Sequence, residues 1–185
     1  MRRSLLVSTF MLLATPAYAS NWAVDDKESK LTFEASQPTE TIVGSFKKFT
    51  PEIDFSEATP EAGKIKVTVD MASVDLSKNK DASDAIPTEE WFNIAKFPQA
   101  EFVSSKIEKT GNRQYAATGK LTIKGISKDV VLPFTLKPEG TQIRADGDLV
   151  IQRNDYKIGD GSKWSNERWL LYPVKVHYTI LASPR

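Results

Sequence analysis

The feature that most constrains this chain is a period of two in its apolar residues. In KIKVTVD, residues 64–70, Ile65, Val67 and Val69 alternate with Lys64, Lys66, Thr68 and Asp70. The same rhythm runs through LTFEA (Leu31, Phe33, Ala35), GKLTIKG (Leu121, Ile123) and VVLPFTLK (Val130, Leu132, Phe134, Leu136). It continues in GDLVIQR (Leu149, Ile151) and PVKVHYTILA (Val174, Val176, Tyr178, Ile180). Successive side chains of a strand point to opposite faces, so each segment reads as a strand with one dry and one wet face, the signature of antiparallel sheets. Turn formers separate the segments at 59–63, 110–112 and 138–140. The pattern predicts an all-β, antiparallel chain of about eight strands, for which a closed barrel or a sandwich is the natural architecture. One short helix is expected over about 88–95, with Thr88 as N-cap, Glu89 and Glu90 in its first turn and Pro98 beyond its end. The polar segment before it, VDLSKNKDASDAIP, reads as a surface connection.

The first residues, MRRSLLVSTFMLLATPAYA, join a basic start to an apolar run and a small-x-small end. They read as a secretory signal peptide, residues 1–19, cleaved after Ala19 to leave one domain over 20–185 in the periplasm. The sequence has no cysteine, which excludes disulfides and a lipoprotein anchor, so an exported domain must hold together by its core. Arg2 and Arg3 leave with the signal peptide, so of 25 basic side chains 23 remain against 24 acidic ones. These charges are interspersed, which argues against a nucleic-acid partner.

Catalytic chemistry finds little footing. The absence of cysteine removes thiol catalysis, a single histidine removes multi-histidine metal sites, and that histidine, His177, shares the wet face of its strand with Lys175 and Thr179. In DLVIQRNDYKIGDG, Arg153 and Asp155 keep the inward phase of Leu149 and Ile151. An inward Arg153 is open to two readings: a polar anchor for a ligand head group, with Asp155 and Tyr156 beside it, or a strand-end ion pair or bulge.

Aromatic residues gather in two places. Trp91, Phe92, Phe97 and Phe102 form one group; Tyr156, Trp164, Trp169 and Tyr172 form the other. Phe33, Phe46, Phe49, Phe55 and Phe134 lie along the strands. An eight-stranded barrel is either filled by side chains or holds one small ligand. These aromatics serve equally as a plug or as the wall of a cavity.

Read in order, the blocks VGSFKKF, PEIDFS, VTVDMASVD, WFNIAKFPQAEF, GKLTIKGISKDVVLPF and IQRNDYKIGDG resemble the YceI family of periplasmic proteins over essentially the whole mature chain. The resemblance implies a lipocalin-like closed barrel that holds a polyisoprenoid or an isoprenoid quinone and performs no catalysis. By that resemblance the pocket wall would comprise Phe33, Phe46, Phe55, Val67, Val69, Trp91, Phe92, Phe97, Phe102, Leu121, Ile123, Phe134, Leu149, Ile151, Trp164 and Trp169. Head-group contacts would fall to Arg153, Asp155 and Tyr156, and KWSNERWLLYP would narrow or cap the mouth. The resemblance also brings in a homodimer and a transient contact with the membrane or with a b-type cytochrome. An enzyme acting on an apolar substrate, with Arg153, Asp155 and Tyr156 as its acid-base group, is the rival from another class.

Overall fold

A computed structural model describes residues 22–76, 79–161 and 163–185; the proposed signal peptide and its cleavage site lie outside these. Eleven strands are found among the described residues. They are β1 (Trp22–Val24), β2 (Lys30–Ser36), β3 (Thr41–Phe46), β4 (Phe49–Asp54), β5 (Lys64–Asp70), β6 (Val74–Asp75), β7 (Gln99–Gly111), β8 (Gln114–Ile123), β9 (Ile126–Glu139), β10 (Gln142–Gln152) and β11 (Pro173–Pro184). The KIKVTVD segment is β5, residue for residue.

Every pairing is antiparallel, in the order β4-β5-β7-β8-β9-β10-β11-β2-β3-β6. The path comes back on itself because β3 and β4 are separated only by Lys47 and Lys48. β3 pairs with β2, and β4 pairs with β5. β5 and β6 are likewise the two halves of one bent segment, joined by the 3₁₀ turn Met71–Ser73. Lys47 N–H donates to Ser73 O and Asp70 N–H to Lys48 O, pinning the two bends together. Eight positions around a barrel result, in agreement with the periodicity. β1 lies off this path, paired with the end of β11.

The helix is displaced from its expected place. Residues 80–85 form it (α1, Lys80–Ala85), and 86–97 are turns. Asn79 is the N-cap that prevails: its side chain accepts from Ala82 N–H at 2.9 Å. Thr88, expected to cap, donates its hydroxyl to Ala85 O at 2.7 Å instead and so closes the C-terminal end of α1. Asn93, at φ 49°, turns the chain left-handed and interrupts any helix over 88–95.

Two apolar clusters fill the ends of the barrel. At the floor, Phe55, Tyr115 and Phe134 pack with ring centroids 5.1–5.8 Å apart, beside Phe102, Ile107, Ala117 and Leu136. The Trp22 indole donates to Phe55 O at 2.9 Å and the Tyr115 hydroxyl to Glu57 at 3.1 Å, so the polar ends of these rings are satisfied. Near the other end, Met71, Ala100, Ile123, Ile151, Tyr156 and Ile158 pack beneath Trp91 and Phe92.

Candidate functional site

Between these clusters lies a cavity of about 570 Å³, within the range of small-molecule sites, roughly 300–1,000 Å³. Its wall is the dry face of the strands. Phe33 and Ala35 come from β2, Phe46 from β3, Val67 and Val69 from β5, and Phe102 from β7. Leu121 and Ile123 come from β8, Leu132 and Phe134 from β9, Leu149 and Ile151 from β10, and Val174, Val176 and Tyr178 from β11. Period-two alternation is therefore what builds the wall: each strand spends alternate residues on one shared interior. Polar residues enter the lining mainly at the mouth, from Gln37 and Glu40 of the β2–β3 turn, Asn79 and Asp81 at the start of α1, and Lys163; Glu101 and the buried Arg153 also border it.

Aromatic side chains narrow that end. Phe33, Phe46 and Phe92 follow one another at centroid separations of 5.5 and 6.4 Å. Trp91 meets Trp164 edge to face at 5.5 Å. Gly44 makes the first contact possible: a Cβ there would lie 2.4 Å from the Phe33 ring and 2.6 Å from Leu76.

Arg153 holds the segment that carries Trp164. It is 1% exposed and follows β10 in the 3₁₀ turn Arg153–Tyr156. Nε donates to Leu171 O at 3.0 Å, Nη1 to Ile158 O and Gly159 O at 3.0 and 3.2 Å, and Nη2 to Trp164 O, Asn166 O and Leu170 O at 2.7, 3.2 and 2.7 Å. Tyr172 stacks on the guanidinium at 5.1 Å. Burial pulls the guanidinium below its ordinary pKa, yet an arginine stays charged in a protein. A guanidinium has five N–H donors, and all are engaged by backbone carbonyls. Arg153 is inward, as its phase predicts, but it is neither half of an ion pair nor free to hold a head group. It fastens the chain between β10 and β11 over the barrel end.

The other sequence-predicted residues divide. Phe33, Phe46, Phe55, Val67, Val69, Trp91, Phe92, Phe102, Leu121, Ile123, Phe134, Leu149, Ile151 and Trp164 all line the cavity. Phe97 does not: its ring packs over Gly125, the second of two left-handed residues in the β8–β9 turn. Trp169 is 47% exposed, its ring flanked by Lys163 at 6.0 Å and Arg168 at 5.4 Å. Asp155 lies on the surface because the 3₁₀ turn ends the strand phase at Gln152. Tyr156 is buried in the cluster around Met71 and Ile151 rather than in the cavity wall. Burial pushes its phenol up to about 12. His177 is on the outer face, as expected, with Nδ1 against Asp148 and Nε2 3.5 Å from Glu34.

The cavity also contains residues outside the expected wall. Leu76, Ala82, Ala85 and Ile86 come from α1 and its flanks, whose burial no strand period signals. Val176, Tyr178 and Ile180 come from β11 and were already marked by its alternation.

Comparison with known proteins agrees with this architecture. The YceI-like domain description matches residues 22–179. Protein YceI of Salmonella agona is 33% identical over 147 residues, covering 76% of this chain and 75% of its own. The crystal structure of Burkholderia cenocepacia BcnA superposes with a TM-score of 0.82 at 34% identity, covering 87% of this chain and 100% of BcnA. A polyisoprenoid binding domain from Saccharophagus degradans, implicated in plant cell wall breakdown, shares the fold with a TM-score of 0.67 at 14% identity, over 90% of this chain and 99% of that one. An antiparallel barrel around an apolar cavity, matched over 22–179, places the chain in the family of YceI-like domains.

Proposed function

We propose that this protein binds one long-chain isoprenoid lipid, a polyprenol or an isoprenoid quinone, inside the barrel, and acts in the periplasm as a carrier that breaks no bond. The observation that carries this reading is the cavity: about 570 Å³, walled by aliphatic and aromatic side chains, with polar groups gathered at one end. A prenyl chain matches such a wall because it offers branched hydrocarbon and no hydrogen-bonding group along its length, while a hydroxyl or quinone head suits the polar mouth. The polyisoprenoid-binding domain of the same fold supports the choice of ligand class.

The energetics are adequate without specific polar contacts. Each sheltered methylene contributes about 0.8 kcal/mol, so ten supply roughly 8 kcal/mol before the costs of association. Among the described residues Arg153 is the charged side chain buried beside the cavity, and it has no donor left for a substrate. Asp155 and Tyr156 do not face the cavity, so the acid-base group of the enzymatic alternative is not assembled there.

The reading is tested by recovering the mature protein gently from a periplasmic fraction and identifying lipid in an organic extract. A prenyl lipid in near-equimolar amount is the expected result. Recovery from the cytoplasmic fraction alone, or an extract carrying only phospholipid, would overturn the reading.

A further inference from the structure

The wall of the barrel is interrupted between β9 and β10. Their ladder runs from the Glu139–Gln142 turn to Thr135↔Asp146, and among the described residues no pairing of these strands continues beyond it. Both strands go on. β9 remains paired with β8 along its whole inner half, Ile126 to Phe134. β10 remains paired with β11 from Gly147 to Gln152. Each strand is thus held firmly on its far side and lacks only the ladder between them.

The local sequence explains the break. Pro133 has no N–H to donate. Its carbonyl presses on Gly147, where a Cβ would lie 2.2 Å from it. That carbonyl is taken by the Tyr178 hydroxyl at 2.6 Å, reaching from β11 past Gly147. Burial pushes the Tyr178 phenol well above its ordinary range, which keeps this donor protonated. Phe134 and Tyr178 line the interior cavity on one side and an outer depression on the other, so the wall here is one side chain thick. At the far end of the seam the Lys124 ammonium donates to Lys157 O at 2.7 Å.

At its middle the seam is apolar through its thickness, between Asp148 towards one end and Asp129 and Gln152 towards the other. Leu132, Leu149 and Ile151 face the cavity. Outside, Val131 is 51% and Val150 56% exposed, and continuing the ladder register would set these two opposite each other. The charged mouth offers a hydrocarbon chain nothing comparable, and the Arg153 hydrogen bonds hold the chain above it in place.

We propose that the β9–β10 seam is a lateral port through which an isoprenoid chain passes sideways into and out of the cavity, with the Tyr178–Pro133 hydrogen bond as its latch. Parting the seam separates side chains and two side-chain hydrogen bonds, Tyr178 to Pro133 O and Lys124 to Lys157 O, whereas parting any other neighbouring strands breaks a backbone ladder. The proposal rests on the lipid-binding reading above.

The sequence has no cysteine, so Val131→Cys/Val150→Cys can be joined across the seam by a short bis-maleimide without touching the cavity wall. The probe is an isoprenoid quinone with a two-unit tail, its uptake followed by stopped-flow quenching of tryptophan fluorescence. Linkage is expected to slow uptake and release tenfold or more, while the unlinked double variant behaves as the parent protein and Tyr178→Phe accelerates both several-fold. Hydrogen exchange, which needs no ligand, should be faster for the β9-facing amides of 148–152 than for those of 142–146, while the amides that point to β11 stay paired. Uptake at the same rate in linked and unlinked protein overturns the port and leaves the cavity reading standing. No uptake by the parent protein overturns the cavity reading, and the port with it.

Discussion

The guanidinium of Arg153 donates to the carbonyl of Trp164 at 2.7 Å, so a buried cation fixes one of the aromatic rings that narrow the cavity. The same guanidinium gathers five further carbonyls from 158–171. Truncating it leaves several of them buried without a donor. Arg153→Ala should therefore destabilise the fold by about 3–5 kcal/mol, and Arg153→Lys, with three donors and no planar fork, by about 2 kcal/mol or more. Urea denaturation measures both. Asp155→Asn, on the surface, should shift the transition by less than about 0.5 kcal/mol.

The tryptophans give a map of binding. Trp91 and Trp164 line the cavity and Trp169 does not. Trp169→Phe should leave quinone quenching at the parental level, whereas Trp91→Phe or Trp164→Phe should each remove a sizeable part of it. Quenching lost with Trp169 alone would put the ligand outside the barrel.

Filling the cavity should abolish binding without unfolding the protein. Val69 and Val176 both line it, so phenylalanine at either position places a ring in the cavity. For each single variant the expected outcome is a melting temperature no lower than the parent's by more than a few degrees and at least a tenfold loss of prenyl affinity. Unchanged affinity in both variants would contradict binding at this wall.

Cavity size sets a length limit. At about 30 Å³ per water-sized group, 570 Å³ accommodates roughly twenty such groups, or about four five-carbon isoprene units. Affinity should climb steeply along a series of prenyl alcohols to about that length and then level off. Calorimetry across one to eight units distinguishes this plateau from an unbroken rise.

Alkaline stability should depend on Tyr156. Its phenol, 1% exposed, is pushed by burial to about 12 from an ordinary value of 10.0. The unfolded chain loses this proton first, so the contribution is complete below pH 10 and is lost as pH rises from 10 to 12, on the order of 2 kcal/mol. Denaturation from pH 9 to pH 12 should show a shallower fall for Tyr156→Phe than for the parent protein.

Strand period carried most of this architecture. An alternating segment such as 64–70 has only one way to hide Ile65, Val67 and Val69, and the cavity wall is the sum of such choices. The helix was less legible, because Asn79 and Thr88 are both chemically fit to cap and the winner is decided by how the 86–97 turns pack Phe92 and Ile94 against the cluster around Met71 and Ile151. Arg153 shows the limit of phase as a guide: alternation placed it inward, but its partners are carbonyls contributed by residues 158–171, which no side-chain pattern announces. Asp155 and Trp169 were misplaced for a related reason. The phase that Asp155 seemed to keep stops at a 3₁₀ turn, and Trp169, expected in the wall by family resemblance, lies in an irregular segment that Arg153 ties down.

The central claim, one isoprenoid chain inside one barrel, is tested most directly by native mass spectrometry of the mature protein after incubation with a four-unit prenyl quinone. The account predicts a single one-to-one adduct that survives gentle activation and disappears in Val176→Phe. A bare protein mass under the same conditions, or several weakly held copies bound alike by parent and variant, would contradict it.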